Sequence, residues 1–408
     1  MIQETLEFKS CSFSKSKENW TVTVFNTVSE IIWDDWNELV NHNNVYLSRE
    51  YLTSLEETMS SEMSFCYALI KDEKGEIVVL QYFQIVLFSD FRKSFTSVLI
   101  NKLRGNFRNS RDGFHTDVLV CGNVFCNGEN GLIIGNTNDH AKVMNAIGQV
   151  ADIVVRNNQT TKKTSIVLLK DFWPNSEINS KTLEDFGFQE FMIDVNMVLK
   201  IHPEWKTMDD YLSVMKTKYR TRAKSVFKKA NAIEIKDLSH SDIIEHKSTL
   251  QELFNNVQAR SEYKMGTISA NTFARFKQSM PNNYLLKAAF FEDKIVGFST
   301  SFINGYVLEP NYVGIDYSFN NDMAVYQFLL YDLVQVCMDR NLKELHLGRT
   351  SELVKSAMGA TPVNMKLYGK HKSKMTNLLV KAVLKRISPA EFELRQPFKE
   401  NFRKIWTP

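Results

Sequence analysis

The chain runs to 408 residues, more than one hydrophobic core usually organises, so two domains of about 150 to 200 residues each are expected. Hydrophobic residues at 43% and charged residues at 24% match an ordinary globular protein and exclude disordered, collagen-like and coiled-coil classes. The 50 lysines and arginines exceed the 47 aspartates and glutamates too slightly for a protein whose main partner is a nucleic-acid duplex, so no DNA partner is expected.

In chain order, residues 1–20 mix Glu, Lys and Ser and lack the apolar core of a signal peptide. Residues 31–40 bring Ile32, Trp33, Trp36, Leu39 and Val40 together at intervals of three and four and predict an amphipathic helix, with a second over 51–57. Residues 65–71 and 76–88 predict a hairpin across Asp72-Glu73-Lys74-Gly75, with Gly75 accepting the turn conformation. The apolar run 77–88 is short and interrupted by glutamine, so no membrane span is predicted. A strand over 116–121 is followed by the Gly- and Asn-rich stretch 122–135, a helix over 140–156, a strand over 165–172 and further strand between 186 and 200. These close a first domain over 1–200. Its segment CGNVFCNGENG, residues 121–131, has three glycines in no phosphate-binding order and reads as a loop needing positive backbone angles at Gly128 and Gly131. Cys11, Cys66, Cys121, Cys126 and Cys337 are odd in number and scattered, which supports neither a disulfide framework nor a metal site and fits a reducing cytoplasm.

The second half repeats this order of elements. A long basic helix is predicted over 211–230 and another over 243–260. Strands over 285–291 and 295–303 flank the turn Glu292-Asp293-Lys294, Gly305 leads into a third strand over 306–315, and a helix over 323–340 precedes a strand over 344–347. The result is an α/β fold with a mixed sheet used twice, the second domain covering 201–371. On the basic helix, Lys216, Lys218, Arg220, Arg222, Lys224, Lys228 and Lys229 crowd into about four turns. Such a face attracts the phosphates of a tRNA, a carrier protein or an anionic lipid, or is simply solvated.

The stretch LHLGRTSELVKSAMGATPVNMKLYG, residues 345–369, alternates Leu345 and Leu347 with His346 and Gly348 as on a strand, then gathers Arg349, Thr350 and Lys355 before Gly359. That spacing suits gripping a phosphate or carboxylate, Arg349 as a bidentate fork and Lys355 as a point charge, and equally suits a solvated surface loop. Residues 372–408 form a basic C-terminal extension whose helix sets Leu378, Leu379, Ala382, Val383 and Ile387 on one stripe with lysines opposite. Because the stripe is narrow and lacks interfacial Trp, it is expected to pack on the second domain, the alternative being an anionic membrane surface.

Three segments, VYLSREYLTSLEE (45–57), MKTKYRTRAKSVFKKA (215–230) and GRTSELVKSAMGATP (348–362), resemble in their order the Fem family of peptidoglycan aminoacyltransferases and related FemAB-like proteins, in which the GNAT acyltransferase fold occurs twice. The resemblance covers roughly residues 29–369. It implies two GNAT-like domains in tandem with a C-terminal helical extension. It further implies an N-acyltransferase that moves an acyl or aminoacyl group from acyl-CoA, an acyl carrier protein or an aminoacyl-tRNA to a primary amine of a cell-envelope, lipid or amino-acid acceptor. No permanently bound cofactor or metal is implied. A non-catalytic GNAT-fold module binding an anionic glycan, lipid or carrier is the alternative. The implied location is cytoplasmic, at most peripheral to the inner face of the membrane, and the implied partners are a small-molecule or lipid-linked amine and an acyl carrier protein or tRNA.

On the same resemblance, the third strand of the second half brings Glu309, Tyr312 and Asp316 to the point where GNAT sheets splay, which makes Asp316 and Glu309 base candidates. Lys355 matches a lysine that contacts substrate, with Arg349 and Thr350 beside it, while Arg220 and Arg222 match a helix region that approaches substrate. The donor's pyrophosphate is expected at a helix start formed by Asn320, Asn321 and Asp322, although Tyr317-Ser318-Phe319-Asn320-Asn321-Asp322 lacks the glycines many GNAT members carry there. Tyr326 and Tyr331, on the next helix, either face the leaving group or fill the core.

Overall fold

The computed structural model describes residues 20–40, 44–87, 117–137, 139–157, 164–178, 180–260 and 268–406. Its strands form two sheets. The chain builds most of the first from β1 (Thr21–Phe25), β2 (Ser64–Lys71), β3 (Ile77–Leu87), β4 (Asp117–Cys121), β5 (Leu132–Ile134), β6 (Thr164–Phe172) and β7 (Gln189–Phe191). The second comprises β8 (Val195–Lys200), β9 (Ile233–Asp237), β10 (Tyr284–Phe291), β11 (Lys294–Asn304), β12 (Val307–Ile315), β13 (Glu344–His346) and β14 (Thr361–Asn364). Finally β15 (Lys366–His371) returns to the first sheet, between β6 and β7.

The first sheet has the order β1-β2-β3-β4-β6-β15-β7, with β5 also on β3, and the second reads β9-β10-β11-β12-β13-β8-β14. Position by position the two orders agree, and each has one parallel pair among its described strands, β4 with β6 and β12 with β13. Two compact units follow, Met1–Ile193 with Glu262–Ile268 and Met365–Pro389, and Asp194–Ser261 with Ser269–Asn364 and Ala390–Pro408. A boundary at residue 200 would leave β8 with the first unit. Its antiparallel pairing with β13 and β14 puts it in the second, and β15 likewise belongs to the first rather than to a 201–371 domain. Periodicity marks a strand without naming its neighbours.

Local chemistry explains the elements around these sheets. The hairpin of β2 and β3 turns where expected, with Gly75 at φ 87° and its N–H donating to Asp72 O at 3.1 Å. In the first unit the His140–Asn157 helix lays Val143, Ile147, Val150 and Val154 on Phe83, Leu119 and Leu169. In the second, the Val325–Asp339 helix buries Leu330, Leu333, Val334 and Cys337 against Leu308, Leu345 and Leu347. The opposite face of that sheet meets the Lys247–Arg260 and Ala270–Ser279 helices, where Phe254 and Phe273 pack on Tyr312.

The helix expected over 211–230 is two, Met208–Ser213 and Thr217–Lys229, because Lys216 is extended and its N–H donates to Pro397 O at 2.8 Å. In the C-terminal extension, Lys374–Leu384 packs on β15 and β7 of the first unit rather than on the second domain. It does so with Leu384 against Gly369 and with Asn377, which accepts from His371 N–H at 2.8 Å and donates to Gly187 O at 2.7 Å. Leu378 and Leu379 are left facing outward.

Candidate active site

In the second unit, β12 and β13 pair only at Val307 with Glu344 and Leu308 with Leu345. Beyond that, β12 continues to Ile315 against β11, whereas β13 stays with β8: Leu347 N–H donates to Met197 O at 2.8 Å and Met197 N–H to Gly348 O at 3.1 Å. The strands therefore part after Leu308, and among the described residues no strand lies beside that edge of β12. A bulge opposite Thr300 and Ser301 leaves Asn311 as the extra residue on β12 and bends the strand just past the fork.

The first unit treats the same place differently. There β4 and β6 pair from Asp117 to Cys121, and the position of the β12 bulge is taken by a buried excursion, Gly122 to Gly131, before β5 resumes on β3. Gly122 and Gly128 have φ of 139° and 98°, whereas Gly131 is required for a different reason: a Cβ there would lie 2.4 Å from Gly122 N. The excursion is tied down by Lys170 Nζ donating to Cys126 O at 2.8 Å, Asn123 Nδ2 to Tyr51 OH at 2.7 Å and Val124 N–H to Gln84 Oε1 at 2.7 Å. Packed chain thus occupies the place where, among the described residues, the strands of the second unit fork.

Side-chain alternation fixes what faces the fork. Leu308, Leu345 and Leu347 point into the core, so Glu309, Glu344 and His346 lie on the other face. Glu309 is the first residue of β12 past the last paired position and is adjacent in register to His346. Asn304 Nδ2 donates to Glu309 Oε1 at 3.1 Å. His346 Nε2 lies 2.8 Å from Glu344 Oε2, a hydrogen bond that holds the Glu344 carboxyl below its usual range and orients the ring.

Beyond β13 the chain makes a tight turn, with Gly348, Thr350 and Ser351 at φ 74°, 63° and 54°. For the β-branched Thr350 this backbone costs about 1 to 2 kcal/mol, which the surrounding bonds must offset. Gly348 N–H donates to Asn196 Oδ1 at 3.0 Å, and Lys355 Nζ donates to Gly348 O at 3.3 Å and Arg349 O at 2.5 Å. Asn196 Nδ2 is buried without a partner among the described residues.

Neither protein-family models nor curated proteins give a match to this sequence. Among solved structures, FemX is similar over 81% of this chain and 94% of its own, with a TM-score of 0.52 at 10% identity. The chain has a Fem-like tandem GNAT fold. Two weaker likenesses, below a TM-score of 0.5, add nothing to that: the C-terminal domain of a putative lysylphosphatidylglycerol synthetase from Agrobacterium fabrum (0.46, 9% identity, 88% of this chain and 98% of that one) and a tandem GNAT protein from the clavulanic acid biosynthesis pathway (0.47, 7% identity, 87% and 99%).

Within the GNAT frame the sequence-expected residues fall into separate places. Lys355 is 4% exposed and serves the turn, its ammonium lowered to about 7 by burial against the pull of Glu352. Arg349 pairs with Asp194, Nε to Oδ1 at 3.2 Å, and Thr350 is exposed on the same turn. Gly359, at φ 104°, makes room for Phe398 rather than for an anion.

Asp316 caps the Tyr317–Met323 helix, accepting from Ser318 N–H at 3.0 Å and pairing with Lys294 at 2.8 Å. Burial opposes its ionisation, yet the bonds from Lys294 and Ser318 outweigh it and hold the carboxyl below the usual range, which makes a poor base. Asn320 Oδ1 accepts from Tyr326 N–H at 2.9 Å, taking up an amide that a pyrophosphate would otherwise use, while Asn321 O accepts from Lys229 Nζ at 3.0 Å and Asp322 is exposed.

Tyr312 faces Phe254 and Phe273, Tyr331 lies in the core beside Phe227, and Tyr326 shares a hydrogen bond with Ser351 at the turn. Arg220, half-buried, and Arg222, exposed, sit on the Thr217–Lys229 helix, which packs against the Val325–Asp339 helix and not at the fork. Of the expected set, only Glu309 stands at the fork itself. The sequence reading missed His346, Glu344 and Asn196; the one available signal was the polar face of the Leu345–Leu347 alternation.

Proposed function

We propose that the second unit transfers an acyl or aminoacyl group from an activated ester or thioester to a primary amine, within a ternary complex at the fork of β12 and β13. The early parting of these strands, with Glu309 and His346 at its apex, carries the reading. In the reaction the acceptor ammonium gives a proton to His346 or Glu309, and the amine nitrogen attacks the donor carbonyl carbon. The tetrahedral oxyanion then collapses, breaking the bond to the thiol or hydroxyl leaving group, which takes up the second proton that the nitrogen sheds as the amide forms. Asn196 Nδ2, buried without a partner among the described residues, supplies a donor for the carbonyl oxygen. Cys66, Cys121 and Cys337 are poor candidates for a covalent thioester, because burial pushes the Cys66 and Cys121 thiols up to about 12 and Cys337 higher still.

The donor class is acyl-CoA, an acyl carrier protein or an aminoacyl-tRNA. The seven cations from Lys216 to Lys229, with no acidic residue among them, favour a polyanionic one. The test offers each donor with a pool of primary amines and follows new amide by mass spectrometry. One donor should be consumed, and Glu309→Gln and His346→Asn should each lower turnover by about 10²- to 10⁴-fold with donor affinity retained. If every donor binds and none is consumed, the chain is instead a GNAT-fold binding module for an anionic glycan, lipid or carrier.

A further inference from the structure

The Lys374–Leu384 helix has two apolar sides and only one of them is used. Asn377, Val383 and Leu384 are buried against the first sheet. On the far side Met375, Leu378 and Leu379 are 83%, 71% and 67% exposed, and at 100° per residue they share one sector with exposed Ala382. The other large exposed apolar side chains among the described residues, such as Ile32, Ile244 and Leu353, stand singly. Three adjacent ones on one helix do not fit a solvated face.

Charge points to what covers them. Lys374, Lys381 and Lys385 run along one flank of the apolar sector, with no ion pair among the described residues. The helix and its flanks, residues 372–386, contain five lysines and arginines and no Asp or Glu. A protein interface is usually depleted in lysine at its core and offers acids of its own, whereas an anionic bilayer takes apolar side chains below its phosphates and ammonium groups level with them. No helix among the described residues is long and apolar enough to cross a membrane, so the contact would be with its surface.

We propose that this helix docks the protein onto an anionic lipid bilayer, lying in the plane of the interface with Met375, Leu378 and Leu379 inserted and Lys374, Lys381 and Lys385 on lipid phosphates. The surface is independent of the transferase reading and stands or falls separately from it.

Cosedimentation of the full chain with phosphatidylglycerol–phosphatidylcholine vesicles, and with phosphatidylcholine alone, tests it. Binding should require the anionic lipid and weaken as salt rises. The triple variants Met375→Ser/Leu378→Ser/Leu379→Ser and Lys374→Glu/Lys381→Glu/Lys385→Glu should each lower vesicle partitioning at least about tenfold while the thermal transition stays where it was. The proposal fails if vesicles are not bound, if neutral vesicles bind as well, or if the serine variant binds unchanged. It also fails if sedimentation equilibrium shows a dimer that the serine variant dissolves, since the face would then belong to a second copy.

Discussion

At Lys355 an ammonium gives up water for two backbone carbonyls, and burial brings its pKa from 10.5 to about 7. Between those values the unfolded chain binds the proton that the folded one has released, so stability rises with pH across the window and is lowest below it. Lys355→Met removes the titration, and its stability relative to wild type in urea melts should improve by about 2 to 3 kcal/mol from about pH 9 to about pH 6. Asp316→Ala should cost about 1 kcal/mol as a lost cap and leave turnover within a few-fold, since the side chain is spent on Ser318 and Lys294. The cationic letters after β13 were legible as unusual. Their partners were not, because Asp194 and Asn196 lie about 150 residues upstream and no local pattern links them to Arg349 and Gly348. His346 was harder still, for a single histidine on a strand looks the same whether it packs or titrates.

The elements that the sequence marked well are those whose cause is local. Gly75 turns its hairpin with its own backbone, and the Thr217–Lys229 helix follows from its own periodicity. Where that helix begins is set from far away by the Pro397 carbonyl. The Ala270–Ser279 helix and strands β14 and β15 went unread, the last because KLYGKH alternates poorly and is held by neighbours on both sides. Gly359 belongs at this scale, since a Cβ would come within 2.3 Å of the Phe398 ring that covers the start of the basic helix. Gly359→Ala should therefore lower stability by about 3 kcal/mol, from strain and clash together. In a double-mutant cycle with Phe398→Ala the losses should be sub-additive, the clash being relieved and the strain retained.

Across the whole molecule, duplication was visible in the order of helices and strands, but the return of β15 to the first sheet was not, because both halves look complete when read in a line. Residues 1–193 hold β6 and β7 and lack the strand that joins them. Expressed alone, that fragment should show poorly dispersed amide resonances and no cooperative melt, and adding a peptide of residues 365–389 should restore a transition. A fragment that melts cooperatively without the peptide would contradict the topology. Biosynthesis meets the same constraint. The sheet begun first is the later of the two to close, because a nascent chain must reach His371 on the ribosome before β15 can join it, and a late stop or stall leaves a raw β6 edge for chaperones to shield.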